Sequence, residues 1–373
     1  MSIDIRKMSH LGFGMMRLPE KDGVIDHEQV CAMVDAYLAA GFNYFDTAYI
    51  YHGGKSETAI REALVKRHPR ESFWLTDKLP AWVMKSADDR DRILNDQLQR
   101  CGVDYFNIYL LHSLEEGGNY ETYVKYDCFE WLKRIKAEGK ARHIGFSFHG
   151  TPELLDKVLT EHPEIEIVQI QLNYLDWNHP TVRSGECYEV LRKHNIPALV
   201  MEPVRGGMLA NLPDAAADVL KAVHPDASAA SWAVRFVGSL EGVATVLSGM
   251  SNEAQVADNT ATFKDFRPLN EAERAALDKA RDIILNANAV PCTACRYCCD
   301  GCPAGISIPD VFKALNIERV YHDKGRAKDY YARVLKDGSA PAADCLQCGQ
   351  CEGVCPQHLG IIELLKEAAE KLG

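Results

Sequence analysis

The stretch "GFNYFDTAYIYHGGKSE", residues 41–57, contains a short apolar strand, a run of polar and aromatic side chains and the beginning of a helix. "FNYFDTA" has the aromatic and apolar composition of a strand, and an amphipathic pattern begins at Glu57 and continues to Arg67. The segment "HGGKSE" does not complete a phosphate-binding loop, because Tyr49 stands where such a loop begins with glycine. We therefore interpret the stretch as one strand–turn–helix unit with polar side chains at the end of its strand.

The same unit recurs between residue 8 and about residue 262. Seven further strands are predicted: "HLGFGMMRL", "FWLTDKL", "FNIYLLHS", "HIGFSF", "IVQIQLN", "PALVMEP" and "ATVLSGM". Amphipathic stretches separate them: 28–40, 57–67, 88–101, 122–138, 151–160, 182–194, 227–237 and 253–262.

Eight alternating strands and helices favour a closed (β/α)8 TIM barrel over an open doubly wound sheet. An open sheet of that kind would carry a glycine fingerprint after its first strand. Gly12 and Gly14 begin one, but Arg17 stands where the third glycine belongs. The predicted fold class is therefore α/β, with a TIM barrel as its main part.

The cysteines predict a second domain. Four of the 13 are scattered before residue 290, and we interpret them as small core residues. The other nine lie between residues 292 and 355. We predict a barrel domain of residues 1–285 and a small α-helical domain of residues 286–373.

Charge and hydropathy exclude several classes of protein. The formal net charge of −11 argues against nucleic acid as a partner, because phosphate binding requires a basic surface. The first residues contain no apolar run typical of a signal peptide, and no run of about twenty apolar residues predicts a membrane span. We therefore expect a cytoplasmic protein without a membrane partner, in which clustered cysteines bind metal more often than they form disulfides.

Four polar side chains follow three successive strands of the predicted barrel. Asp46 and Tyr51 follow the second strand, Lys78 the third and His112 the fourth. Because the C-terminal ends of barrel strands meet at one mouth, we expect these groups to converge. An ammonium beside a phenol is expected to lower its pKa, an aspartate would hold the lysine, and a histidine could orient a carbonyl oxygen. The set suits protonation of a carbonyl group while a hydride reaches its carbon.

On these residues and the motif at 41–57, the chain resembles the aldo-keto reductase superfamily over roughly residues 8–262. The resemblance implies that Tyr51 is the general acid and that Asp46, Lys78 and His112 complete a catalytic tetrad. It also implies an extended nicotinamide cofactor, NAD(P)H, across the barrel mouth, bound without a Rossmann domain. The residues that this implies for cofactor binding are Met15, Met16, Asp46, Ser147, Gln169, Pro203, Arg205, Gly249, Gln255 and Asn259.

Two departures from the family pattern concern this cofactor. Phe148 follows Ser147 where the family typically has asparagine, which removes one contact to the carboxamide. Gly249 and Gln255 stand where reductases specific for NADPH usually have basic residues for the 2′-phosphate. Since a phosphate without cationic partners is poorly held, NADH is at least as plausible as NADPH.

Two cysteine arrays occupy the second domain. They have the same spacing, C-x2-C-x2-C-x3-C-P, and comprise Cys292, Cys295, Cys298 and Cys302, then Cys345, Cys348, Cys351 and Cys355. This run is typical of bacterial ferredoxins, which hold 4Fe–4S clusters. A structural zinc site has no use for a third cysteine in each run, so the arrays predict two 4Fe–4S clusters in a ferredoxin-like domain.

In bacterial ferredoxins the fourth cysteine of each run binds the other cluster. The resemblance therefore implies that Cys355 joins the first three cysteines of the first array around cluster one. Cys302 likewise joins the first three cysteines of the second array around cluster two. Cys299, next to Cys298, is left as a spare.

Three functions remain open at this point. The barrel could reduce a carbonyl or oxidise an alcohol, with the clusters exchanging electrons with a redox partner protein and a flavin splitting the electron pair. Alternatively, the reductase works alone and the clusters are structural or sense oxidants. In the third reading, the protein is an electron-transfer adaptor whose barrel binds a partner or another cofactor, such as flavin, without hydride turnover.

Overall fold

Eight parallel strands close into a barrel in the computed structural model, which describes residues 3–286, 289–292, 294–355 and 357–373 of the chain. The strands are β1 (Leu11–Gly14), β2 (Tyr44–Asp46), β3 (Trp74–Pro80), β4 (Phe106–Leu114), β5 (Ala141–Phe148), β6 (Ile167–Gln171), β7 (Ala198–Met201) and β8 (Val243–Ser248). Each pairs with the next along the chain, and β8 closes on β1 with Val246 beside Leu11. The predicted (β/α)8 barrel is confirmed.

Helices alternate with these strands. They are α1 (His27–Ala39), α2 (Ser56–Ile60), α3 (Asp89–Cys101), α4 (Asn119–Lys125), α5 (Cys128–Ala137), α6 (Pro152–Glu161), α7 (Ser184–His194), α8 (Asp214–Lys221), α9 (Ala229–Gly238), α10 (Glu253–Lys264) and α11 (Glu271–Asn286). Among the described residues, no helix combines the length and apolar composition that crossing a membrane requires.

Three local features differ from the predicted helices. The helix expected over 57–67 ends as α2 at Ile60 and continues as a wider π-helical turn over Arg61–Val65. The helix expected over 122–138 is divided into α4 and α5, because Asp127 between them has a φ of 52°. Helix α8 was not predicted.

The barrel strands are buried on both faces, which explains their continuous apolar runs. All residues of β2, β6 and β8 are buried. Close packing leaves no room at Gly145 on β5, where a β-carbon would lie 2.0 Å from the backbone oxygen of Ile167. A glycine is therefore required where β5 meets β6.

The chain divides into two compact units. One comprises the described residues of Met1–Leu212 and Leu220–Leu277, and the other those of Pro213–Val219 and Asp278–Gly373. The predicted domain boundary between residues 285 and 286 stays a prediction.

The second unit is helical and contains both cysteine arrays. Besides most of α8 and the second half of α11, its described helices are α12 (Tyr297–Asp300), α13 (Ile308–Tyr321), α14 (Lys324–Lys336), α15 (Gln350–Gly353) and α16 (Ile361–Leu372). Helix α13 begins six residues after Cys302, and α16 begins six residues after Cys355. Ile308, Phe312, Ile361 and Leu365 from these two helices belong to its apolar core, together with Cys298 and Cys351.

Candidate active site

The four tetrad candidates lie at the mouth of the barrel. Asp46 ends β2, Lys78 lies near the end of β3 and His112 near the end of β4. Tyr51 begins a short 3-10 turn, Tyr51–Gly54, five residues after β2 ends. Adjacent parallel strands carry Asp46, Lys78 and His112, so the strand order places their side chains side by side.

Lys78 is the centre of this group. Its Nζ donates hydrogen bonds to Oδ1 of Asp46 at 2.5 Å and to the backbone oxygen of Thr47 at 2.7 Å. The same Nζ lies 3.4 Å from the hydroxyl of Tyr51. The side chains of Lys78 and Asp46 are 1% and 4% exposed, so this is an ion pair almost without solvent. Such a pair fixes the ammonium beside the phenol.

The charges of the tetrad follow from this burial. Burial raises the pKa of the Tyr51 phenol above 10.0, and the Lys78 ammonium only partly offsets that effect. Lys78 lowers the pKa of the phenol as expected, but the net pKa is raised rather than lowered because burial outweighs this attraction. Burial alone would lower the pKa of Lys78, but the charge of Asp46, and that of Tyr51 once its phenol is ionised, raise it above 10.5. At neutral pH the site thus holds a protonated phenol and a charged ammonium.

His112 is neutral in this environment. Burial, with the nearby charge of Lys78, lowers the pKa of its imidazole well below 6.5. Its ring lies edge-on to Tyr51, with centroids 5.9 Å apart, and 5.1 Å from the ring of Trp82. Among the described residues its buried Nδ1 has no hydrogen-bond partner. A neutral imidazole next to the phenol can orient a carbonyl oxygen without competing for the proton.

Tyr123 of α4 fastens the strand ends that carry Lys78 and His112. Its hydroxyl lies 2.7 Å from the backbone oxygen of Leu79 and 2.7 Å from that of His112. It also accepts a hydrogen bond from the backbone nitrogen of Ala81 at 3.1 Å. The phenol is buried, and no feature of the sequence pattern pointed to it.

The two residues predicted to hold the nicotinamide carboxamide lie beside each other on paired strands. Ser147 on β5 is in register with Gln169 on β6. The Ser147 hydroxyl accepts a hydrogen bond from the backbone nitrogen of Ser113 at 2.7 Å, and Gln169 Nε2 lies 3.4 Å from Oδ2 of Asp46. Phe148, the departure from the family pattern, is 2% exposed and packs in the apolar core near Phe146.

Most of the residues predicted to contact the rest of the cofactor line one pocket beside β8. Residues that line it include Arg17, Glu202, Pro203, Gly206, Gly207, Gly249, Ser251, Gln255, Asp258 and Asn259. Asn252 and Gln255 cap the N-terminus of α10 at this pocket, with Gln255 Oε1 2.7 Å from the nitrogen of Ser251. Glycine backbone and a helix N-terminus are groups that suit an extended dinucleotide with phosphates.

Three other residues predicted to contact the cofactor, Met15, Met16 and Arg205, do not line this pocket. The Arg205 guanidinium is not among the groups that line this pocket; its Nε donates to Asp176 at 2.9 Å, and the Asp176 side chain is fully buried. Met15 is fully buried, whereas Met16 is 52% exposed. Sequence reasoning missed Asp176, whose place beside Arg205 depends on packing between two loops.

A buried polar network that was also missed lies behind Lys78. Asp77 Oδ1 accepts hydrogen bonds from the backbone nitrogen of Lys78 at 2.8 Å and from Gln97 Nε2 at 2.6 Å. Gln97 in turn accepts from the Tyr109 hydroxyl at 2.5 Å. Alternation along β3 could have indicated that Asp77 points away from Lys78, toward the helices.

The cysteines predicted for cluster one line a single cavity. Cys292, Cys295 and Cys298 of the first array and Cys355 of the second surround it, together with apolar side chains of Ile308, Phe312, Leu359 and Ile361. Four thiols from two separate runs, screened by apolar residues, are the donor set that a 4Fe–4S cluster requires. In the described ranges no three His, Cys, Asp or Glu side chains are grouped to hold a single metal ion. A cluster does not need such convergence, since each thiolate binds its own iron.

The cysteines predicted for cluster two lie in the same unit. Cys351 is buried, Cys302 and Cys345 are partly buried against its apolar core, and Cys348 is exposed. The backbone nitrogen of Ile306 donates a hydrogen bond to Sγ of Cys302 at 3.4 Å. Hydrogen bonds of this kind stabilise the charge on a sulfur ligand.

Comparisons with known proteins agree with both parts of this description. The sequence matches the aldo/keto reductase family over residues 10–282 and a 4Fe-4S dicluster domain over residues 291–359. An aldo-keto reductase of Mycobacterium avium (strain 104) is 29% identical over 266 residues, which span 70% of this chain and 83% of that protein.

Solved structures show the same barrel. The holo form of an aldo-keto reductase from Bacillus halodurans has 26% identity and a TM-score of 0.60, covering 73% of this chain and 92% of that one. An aldo-keto reductase from Klebsiella pneumoniae in complex with NADPH has 20% identity and a TM-score of 0.57, covering 73% and 90%. Since the family match spans most of the chain and the barrel is shared, the protein belongs to the aldo/keto reductase family, and a 4Fe-4S dicluster domain follows its barrel in the sequence.

Proposed function

We propose that this iron–sulfur oxidoreductase reduces a small carbonyl compound, or oxidises the corresponding alcohol, with a nicotinamide cofactor and with Tyr51 as general acid. The observation that carries the proposal is the buried Lys78 ammonium, which contacts the Asp46 carboxylate at 2.5 Å and the Tyr51 hydroxyl at 3.4 Å. A phenol in this position gains a stabilised phenolate at the moment when it gives up its proton.

Each tetrad member has a distinct part in the reaction. When bound, the reduced nicotinamide supplies a hydride, and hence two electrons, to the carbonyl carbon. Tyr51 gives its proton to the carbonyl oxygen, so that an alcohol, the oxidised nicotinamide and a phenolate result. Lys78 stabilises that phenolate, and Asp46 keeps Lys78 charged. His112, which is neutral, directs the carbonyl oxygen toward the phenol.

The pocket beside β8 favours NADH over NADPH. Glu202 and Asp258 line it, whereas Arg17 is its single lysine or arginine among the described residues, and a guanidinium nitrogen of Arg17 lies 3.8 Å from Glu202. Two carboxylates against one partly neutralised guanidinium disfavour a 2′-phosphate but accept a ribose hydroxyl. The aldo-keto reductase from Klebsiella pneumoniae was solved in complex with NADPH. Comparing NADH with NADPH as the cofactor of this chain therefore tests the proposed preference.

The clusters would connect the barrel to a one-electron carrier. A hydride delivers two electrons together, whereas iron–sulfur centres take part in one-electron chemistry. Coupling the two therefore requires a group that splits the pair, and a flavin, bound by this chain or by a redox partner protein, is the class of cofactor that does so.

The test of the reductase uses protein purified without oxygen. We expect NADH-dependent reduction of at least one aldehyde or ketone in a panel, and loss of at least about a hundredfold in kcat for Tyr51→Phe, as for removal of a general acid. Tyr49→Phe is the matched control, since the Tyr49 hydroxyl lies 3.4 Å from Arg100 and outside the tetrad. Equal activity of Tyr51→Phe and the native protein would refute the assignment.

The second candidate is an electron-transfer adaptor without hydride turnover. Phe148 favours it to the extent that one expected carboxamide contact is absent. An adaptor would reduce no carbonyl with NADH or NADPH, yet its clusters would accept electrons from a reduced ferredoxin. The carbonyl assay therefore separates the two candidates. Anaerobic titration with NADH tests a different point: bleaching of the cluster absorbance without added flavin or partner shows coupling within one chain.

A further inference from the structure

The two cysteine arrays fold in the same way. Each has three residues in the left-handed region at matching positions between and after its cysteines. The matched pairs and their φ angles are Ala294 with Gln347 (55° and 53°), Arg296 with Gly349 (65° and 74°) and Gly305 with His358 (71° and 50°). The described residues of the two arrays thus share a backbone pattern at these positions, and we treat differences between matched side chains as differences between the two cluster environments.

The first difference is Arg296, which matches Gly349. An arginine pays a conformational cost in the left-handed region that a glycine does not. Its guanidinium donates to Asp310 at 3.0 Å and to the hydroxyl of Ser307 at 2.8 Å. Arg296 lines the cavity that Cys292, Cys295, Cys298 and Cys355 surround, whereas Asp310 does not line it. Of the two members of this ion pair, only the cationic residue therefore lines the cavity of the cluster-one cysteines.

The second difference is at the doubled cysteine. Cys299 in the first array matches Glu352 in the second. Oε1 of Glu352 accepts a hydrogen bond from the backbone nitrogen of Ile362 at 2.9 Å, so the carboxylate is held beside Cys351. Asp300 of the first array matches Gly353 in the second. Counting residues 292–302 and 345–355, the first array carries Arg296 and Asp300, for a net charge of 0, and the second carries Glu352, for −1.

A second cavity adds to the same asymmetry. It lies beside Cys345 and is lined by Glu363, Glu370 and Lys366, whose charges sum to −1. An electron added to a cluster is an added negative charge, which a nearby cation stabilises and a nearby carboxylate destabilises.

We propose that the two clusters differ in reduction potential, and that the cluster held by Cys292, Cys295, Cys298 and Cys355 has the higher potential because Arg296 lines its cavity while Glu352 flanks the other. This deepens the proposed function, on which it rests: electrons that enter the domain come to rest on cluster one, and cluster two is the lower-potential side.

The experiment is an anaerobic redox titration of the full-length protein with dithionite, followed by visible absorbance and electron paramagnetic resonance. We expect two resolved steps in the native protein. Arg296→Gly, which reproduces the matched Gly349 and suits the left-handed backbone, shifts the higher step to lower potential and leaves the lower step in place. Glu352→Gln, whose amide oxygen can still accept from Ile362, shifts the lower step upward.

The control is Arg333→Gln, which removes the same charge from an exposed position on α14 and leaves both steps unchanged. The proposal fails if the native steps coincide, if Arg296→Gly moves the lower step or neither, or if the control has the same effect. If the Arg296→Gly protein loses iron, the shift caused by Glu352→Gln alone decides which cluster has the lower potential. Because dithionite reduces the clusters without any carbonyl, failure of the reductase assay and failure of this proposal are separate results.

Discussion

Asp46→Asn tests the ion pair on which the site depends. The substitution keeps the size of the side chain but removes the carboxylate that faces the Lys78 ammonium at 2.5 Å, where both side chains are at most 4% exposed. Coulomb attraction over that distance is about 7 kcal/mol at an effective dielectric constant of about 20. Desolvation of both charges offsets much of it, so the measured loss reflects an ammonium left unpaired in the interior.

Loss of one partner from a buried ion pair typically costs about 3–5 kcal/mol. The amide oxygen of asparagine still accepts a hydrogen bond, so we expect the free energy of unfolding to fall by about 3 kcal/mol at pH 7. Without Asp46, burial lowers the pKa of Lys78 in the folded state below its value in the unfolded chain. The unfolded state then binds more protons, stability rises with pH, and the deficit shrinks as pH increases toward 10.

The assay is urea unfolding followed by tryptophan fluorescence. All five tryptophans lie in the barrel unit, at positions 74, 82, 131, 177 and 232, so the signal reports the barrel alone. Asp35→Asn is the control, because its ion pair with Arg67 is 36–44% exposed and is expected to contribute less than about 1 kcal/mol. A loss below about 1 kcal/mol for Asp46→Asn, or a deficit that does not depend on pH, would refute the reasoning.

Three further results are expected. Gly145→Ala prevents the barrel from folding stably, because the added β-carbon would lie 2.0 Å from the Ile167 oxygen; native-like circular dichroism and melting temperature would contradict this. The rate of carbonyl reduction at saturating cofactor stays constant from pH 7 to about 10 and falls above it, since burial raises the pKa of Tyr51 above 10.0. The rate of alcohol oxidation rises with pH, and a pH–rate profile checks both expectations. Iron analysis is expected to give about eight iron atoms per chain in Cys299→Ala and about half that number in Cys298→Ala. The opposite result would make Cys299 the cluster ligand and Cys298 the spare.

The barrel could be predicted from sequence because its strands need continuous apolar runs. Phe106–Leu114, buried almost throughout, is the clearest example, and each predicted strand overlaps an observed one. The break between α4 and α5 could not be predicted in this way, because it depends on the left-handed conformation of Asp127, a residue that helices also contain. Helix α8 has a short amphipathic pattern that the alternation of strands and helices did not require.

The strand order also indicated which polar side chains would be neighbours, although their catalytic roles remain predictions. The extent to which each side chain is buried could not be predicted from the sequence. Lys78 beside Tyr51 suggested a lowered phenol pKa, but the net effect is opposite because desolvation is larger than the attraction. The pairing of Arg205 with Asp176 was similarly invisible, since the two residues are 29 positions apart on different loops.

The hydroxyl of Tyr123 has a consequence for how the range of accepted substrates can change. It holds together the ends of β3 and β4, and so controls the spacing between Lys78 and His112, yet it belongs to a helix outside the barrel. Substitutions that shift α4 are therefore expected to alter the width of the mouth while the four tetrad side chains stay the same. Under the proposed function, evolution or directed selection in the laboratory can broaden the range of accepted carbonyl compounds through α4 without replacing Tyr51, the proposed general acid.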